Sequence, residues 1–94
     1  MAGNGDWVKR LRQQMELDVQ PMPGLPLVEI VGQGRVLIEN HLGVCAYGRE
    51  QICVQVKYGQ IAVRGRGLEL ARMSREQLVI TGRIEAVCLM GRNP

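Results

Sequence analysis

The feature that most constrains what this chain can fold into is an internal repeat written in alternating apolar residues. Setting Val36 on Ile61 lays the stretch from Arg35 to Val54 over the stretch from Ile61 to Ile80, with one residue added in the second turn. Val36 and Ile38 then match Ile61 and Val63, and Leu42 and Val44 match Leu68 and Leu70. Arg49-Glu50-Gln51-Ile52 matches Arg75-Glu76-Gln77-Leu78. Alternation at period two puts apolar side chains on one face of a strand, and its recurrence marks one strand-and-turn unit used twice. Neither copy contains a reactive centre, so what repeats is a surface or an assembly unit.

The interior available to such a unit is aliphatic. The 94 residues include no Phe, one Trp and two Tyr, so the core must come from Val, Ile, Leu and Met, and β-branched residues favour strands. A chain of this length makes one domain with a small core. Candidate strands run over 27–31, 35–40, 43–46, 51–58, 60–64, 68–72, 77–81 and 84–90, punctuated by glycines. Short strands joined by tight turns predict a mainly β fold, a small antiparallel roll, meander or barrel built from two related segments, 35–58 and 60–84.

Ahead of the strands the period is different. Trp7, Leu11 and Met15 recur every four residues behind Asp6 as N-cap, which predicts a short amphipathic helix with Lys9, Arg10 and Arg12 on its other side. A helix this short is marginal in water by itself, so it is expected to pack on the sheet or on a partner. Pro21, Pro23, Gly24 and Pro26 then deny both helix and central strand. The organisation read from this is an N-terminal helix in 1–20, a linker in 21–26 and a β domain in 27–94.

Turn positions needing unusual backbone are assigned to Asn40 in the first copy and to Gly65 in Gly65-Arg66-Gly67 in the second, with Gly59 and Gly82 as further turn glycines.

Charge and reactive side chains narrow the function classes. The formal charge is +3, and residues 60–94 hold six Arg and three Glu, which permits contact with phosphates, lipid head groups or acidic partners without specifying one. Cys45, Cys53 and Cys88 lack any Cys-x-x-Cys spacing and the chain has one His, so no metal site is expected, and the odd count fits a reducing cytoplasmic setting. No apolar run approaches the ~20 residues that span a bilayer, so direct membrane insertion is not expected.

His41 has no nucleophile beside it, and the single Ser, Ser74, precedes Arg75-Glu76-Gln77 as a turn or cap residue. Glu29, Glu39, Glu50, Glu69, Glu76 and Glu85 mostly alternate with apolar residues and read as outward strand faces, not as an acid and base pair. Catalytic and cofactor-binding residues are therefore expected to be none. Gly32-Gln33-Gly34 and Gly65-Arg66-Gly67 complete neither the dinucleotide fingerprint nor a Walker loop. Arg64-Gly65-Arg66 offers donors to phosphate, but Tyr47 and Tyr58 are too few for a stacking platform, so nucleic acid is disfavoured. The alternative function class is a small Sm-like nucleic-acid-binding barrel, although the second segment lacks the Asp/Asn-bearing loops of that group.

Four segments carry a family resemblance: Leu25-Pro26-Leu27-Val28-Glu29-Ile30-Val31-Gly32, Val36-Leu37-Ile38-Glu39-Asn40-His41-Leu42-Gly43-Val44, Gly59-Gln60-Ile61-Ala62-Val63-Arg64-Gly65 and Leu78-Val79-Ile80-Thr81-Gly82-Arg83-Ile84-Glu85. Together they resemble the YabP/YqfC family of endospore-formation proteins, and the helix with Trp7 and the Gln-Gln-Met-Glu-Leu stretch fits the YqfC branch. The resemblance implies a non-enzymatic protein of the mother cell, connected with spore coat or cortex assembly. It also implies a membrane protein encoded by the neighbouring gene as partner, and so a cytoplasmic protein held peripherally at the forespore membrane.

Read physically, paired half-domains expose strand edges that can recruit a partner or a second copy. Trp7, Arg66, and Arg49 with Arg75 at equivalent points of the two copies, are the candidate contact residues.

Overall fold

The computed structural model describes residues 24–91. The expected N-terminal helix, Trp7 within it, and the first part of the linker lie outside the described residues.

Six strands follow in chain order: β1 (Leu27–Val31), β2 (Arg35–Glu39), β3 (Gly43–Tyr47), β4 (Gln51–Val56), β5 (Gly59–Met73) and β6 (Gln77–Gly91). They form one antiparallel sheet in the order β1-β2-β6-β5-β4-β3. Alternation places Val36 and Ile38 of β2, Ile52 and Val54 of β4, Ile61 and Val63 of β5, and Leu78 and Ile80 of β6 in a single apolar cluster, all at most 1% exposed. Full burial of each such side chain stabilises the fold by about 1.5–3 kcal/mol.

The eight short strands expected from the sequence become six, because Gly65 and Gly82 do not end strands. Each lies inside a 15-residue strand and bends it. The β5–β6 register slips between Arg64 and Gly65, between Arg66 and Glu69, and between Leu70 and Arg72, yet pairing resumes after each slip. Glycine here removes a side chain where two backbones approach, which lets a strand kink without breaking its ladder. The reversal before Gly59 is made instead by Lys57 and Tyr58, with Tyr58 at φ 67°.

The bends let one sheet enclose its own core. Residues 40–42 carry the chain from β2, second in the sheet, to β3 at its far edge. In a flat sheet that step would cross four strand spacings, ~19 Å, whereas four residues of extended chain reach only ~14 Å. The sheet therefore curls until β2 and β3 are near each other.

It does not close into a barrel, and that expectation is corrected. β2 is five residues long and its pairing with β6 is confined to Gln77–Thr81, so among the described residues no strand covers the outer edge of β6 beyond the Gly82 bend. Among the described residues, β1 and β3 remain as unpaired outer edges.

The repeat in the sequence is a pseudo-two-fold in the sheet. Val36 faces Ile80 and Ile38 faces Leu78 across β2–β6, just as Ile61 faces Val54 and Val63 faces Ile52 across β5–β4. Superposing the two copies exchanges one set of pairs for the other. The bends match as well: the Asn40 amide donates to the Glu76 carbonyl at 2.7 Å, and the Gly65 amide donates to the Glu50 carbonyl at 3.0 Å.

Candidate interaction surface

Two surfaces follow from the open sheet. The first is the outer edge of β1. Its register with β2 is unbroken from Leu27↔Glu39 to Val31↔Arg35. Leu27, Ile30 and Val31 are all more than half exposed, and Glu29 is the strand's one charged residue. Natural edge strands are usually defended by a bulge, a proline or inward charge, and β1 has none of these within its five residues. The edge at β3 is different, since its register shifts between Val44 and Ala46 and leaves Cys45 as the extra residue.

The second surface is an apolar groove of about 570 Å³. Val28 and Ile30 of β1 form one wall, and Val87, Leu89 and Met90 of β6 form the other. Val56 and Ile61 lie on its floor, and both belong to the core. Tyr58 completes one end, with the Lys57 ammonium 5.4 Å from its ring centroid. The groove exists because β2 covers only the first part of β6: past the bond from the Ile84 amide to the Gln33 carbonyl at 2.7 Å, no described strand lies beside the C-terminal half of β6 on that side.

The candidate residues named from the sequence fall in separate places. Arg49 and Arg66 border one recess with Arg64, Glu50 and Glu85. There Arg66 Nε lies 3.5 Å from Glu85 Oε1, an exposed pair that contributes little to stability, and Arg64 Nε donates to Gln51 Oε1 at 3.1 Å. Arg75 sits in another recess, beside His41, Leu42 and Met73. Arg49 and Arg75 are thus equivalent in the repeat without forming one patch. Trp7 lies outside the described residues.

The turn residues have local reasons. Asn40 has φ 61°, and its Nδ2 donates to the Leu25 carbonyl at 2.9 Å, tying the β2–β3 connection to the segment entering β1. Gly59 opens β5 where an added Cβ would lie 2.1 Å from the Met90 carbonyl oxygen, and at Gly82 it would lie 2.7 Å from that of Gly67.

His41 is buried at a junction. Gly43 N–H donates to its Nδ1 at 3.1 Å, and its Nε2 lies 2.8 Å from the Ser74 carbonyl oxygen. An acceptor at Nδ1 and a donor at Nε2 describe one neutral tautomer. Nε2 links the β2–β3 connection with the β5–β6 turn, while Nδ1 braces the connection itself against the start of β3. Among the described residues, no group of three or more His, Cys, Asp or Glu is placed to hold a metal ion, and no helix is long and apolar enough to cross a membrane.

Sequence reasoning did not find the groove. Its one signal was the apolar run Val87-Cys88-Leu89-Met90, where strict alternation fails at the end of β6.

With this arrangement in view, comparison with known proteins is informative about kinship. The model of the YabP family matches residues 26–93, which takes in β1 through β6. The chain belongs to the YabP family. Among curated relatives, it is 26% identical over 77 residues to the uncharacterized protein YqfC of Bacillus subtilis (strain 168), an alignment covering 82% of this chain and 83% of the relative. No solved structure matches. The YabP family match begins at the wall of the groove and spans both copies of the repeat, so the bent sheet is the unit that the family model describes.

Proposed function

We propose that this YabP family member is a non-enzymatic sporulation protein, a mother-cell adaptor or scaffold in assembly of the spore coat or cortex. It acts by adding a strand of a partner to β1, and the partner is the membrane protein encoded by the neighbouring gene. Docking there holds a cytoplasmic protein at the membrane around the forespore.

The observation that carries the contact reading is the β1 edge, with three exposed large apolar side chains on a regular, unprotected strand. Strand addition takes its affinity from main-chain hydrogen bonds and its specificity from alternate side chains, and β1 offers both. The recess at Arg49 and Arg66 interleaves arginines with Glu50 and Glu85, which does not favour a phosphate backbone over a protein partner.

The test is co-purification of the tagged chain with that membrane protein from the sporulating host. Leu27→Lys combined with Val31→Lys should abolish recovery while leaving the thermal transition in place. Undiminished recovery with the double variant would refute strand addition at β1.

A further inference from the structure

We infer that Cys45 and Cys53 are a redox-responsive thiol pair, which closes to a disulfide across the β3–β4 bulge when the protein meets a peroxide and thereby tightens the bend at Gly65. This goes beyond the proposed function, which rests on β1 at the opposite edge of the sheet.

The bulge brings the two residues together. Val44 faces Val54 and packs against the core, and Tyr47 faces Ile52, so the inward positions of β3 are Val44 and Tyr47. Counted from Val44, alternation turns Cys45 outward; counted from Tyr47, it turns Ala46 outward. Both share the outer face with Cys53, which lies between the inward Ile52 and Val54. Two residues opposing one is what defines a bulge. Directly opposed residues have Cα atoms about 5 Å apart, inside the ~4.4–6.8 Å that a disulfide bridges.

Hydrogen bonds hold the Cys53 sulfur on that face. Gln51 Nε2 donates to Cys53 Sγ at 3.2 Å, and Arg64 Nε donates to Gln51 Oε1 at 3.1 Å, which sets the direction of the Gln51 amide. The two thiols differ in access, since Cys45 is exposed and Cys53 is buried. That division suits a pair in which an accessible thiol meets the oxidant and a shielded neighbour resolves it. Cys88 is outside the pair. Cys53 faces Ala62 and Ala62 faces Cys88, so two strand spacings, ~9.6 Å, separate the cysteines, too far for a disulfide.

The step balances with hydrogen peroxide as oxidant. The Cys45 sulfur attacks one peroxide oxygen, the O–O bond breaks, and the other oxygen leaves as water with the thiol proton, giving a sulfenic acid. The Cys53 sulfur then attacks the Cys45 sulfur, the S–OH bond breaks, and the hydroxide takes the Cys53 proton and leaves as a second water. Two thiols lose two electrons and the peroxide is reduced to two waters. The new bond closes a ring over residues 45–53, which carries Arg49 and Glu50. Their carbonyl oxygens accept the Leu68 and Gly65 amides at 2.8 and 3.0 Å, so the closed ring steadies the anchor of the bend.

The test treats the full-length protein with a small excess of hydrogen peroxide, counts thiols with a maleimide after denaturation and maps tryptic peptides without reduction. Of the three cysteines only Cys88 should still take the label, and peptides 36–49 and 50–57 should be recovered joined and lighter by two hydrogens. Dithiothreitol should restore all three labels, Cys88→Ser should leave the joined pair intact, and amide exchange at Gly65 and Leu68 should slow on oxidation. Three labels after peroxide would overturn the inference, as would Cys45 carried on to a sulfinic acid beside a free Cys53. A chain-to-chain disulfide through Cys45 would overturn it in favour of contact between two copies, and unchanged exchange at Gly65 and Leu68 would overturn the coupling to the bend.

Discussion

The Cβ that Gly65 lacks would lie 1.9 Å from the carbonyl oxygen of Arg83, so β5 and β6 pass at a separation that only glycine permits. This contact is what lets a hairpin of two 15-residue strands bend and a single sheet wrap its core. Gly65→Ala cannot be relieved by moving a flexible side chain, since the obstacle is backbone. It should destabilise by ~3 kcal/mol or more, while exposed Arg66→Ala stays within ~0.5 kcal/mol and Gly34→Ala, which meets open space, does likewise. Chemical denaturation of the three variants checks this ordering.

Asn40 occupies left-handed backbone and also bonds the Leu25 carbonyl. Asn40→Gly keeps the backbone conformation and loses only the side-chain bond. Asn40→Ala loses both and should cost ~1–2 kcal/mol. A midpoint for the Gly variant above that of the Ala variant is the expected result.

His41 joins two connections through Nε2 and braces its own through Nδ1. His41→Ala leaves the Ser74 carbonyl and the Gly43 amide without that partner, and should cost ~1–3 kcal/mol. Hydrogen exchange should show the loss first at residues 40–43 and 74–77, the two connections it ties, and uniform loss across the sheet would argue against a local clasp.

Core truncation should follow the pseudo-two-fold. Ile38→Ala and Ile52→Ala remove fully buried side chains from equivalent pairs, Ile38 on Leu78 and Ile52 on Val63, and each should cost ~2–5 kcal/mol. Comparable losses in urea titrations support the equivalence of the two halves.

Replacing Arg49 and Arg75 together by Glu alters two exposed residues that lie in separate recesses. Stability should change by no more than ~0.5 kcal/mol. If these positions assist partner binding, recovery of the membrane protein falls while the thermal transition holds, and unchanged recovery removes them from the contact.

The membership of the core was readable from the sequence, because alternation assigns Val36, Ile38, Ile61, Val63, Leu78 and Ile80 to one face of their strands wherever those strands pair. Which strands pair was not. Nothing in the order of residues shows that β2 meets β6, since that pairing depends on the curl set by the bends at Gly65 and Gly82. Those two glycines carry the same local signal whether they reverse a chain or let two backbones approach, which is why turns were expected where bends are found. The groove was hidden for a related reason. Leu89 and Met90 read like ordinary strand residues, and they are exposed because β2 begins only at Arg35, opposite Thr81, and leaves the far half of β6 without a paired strand among the described residues. The β1 edge, by contrast, was foreshadowed in general by paired half-domains with free edges, but its position at the outside of the sheet came from the topology.

The most direct test of the functional account is to follow a tagged copy at its native locus through growth and sporulation, with and without the neighbouring membrane protein. The account predicts that the protein appears only during sporulation, as a shell around the forespore that disperses when the membrane protein is removed. Diffuse protein present throughout growth, or a shell indifferent to the loss of the membrane protein, would contradict it.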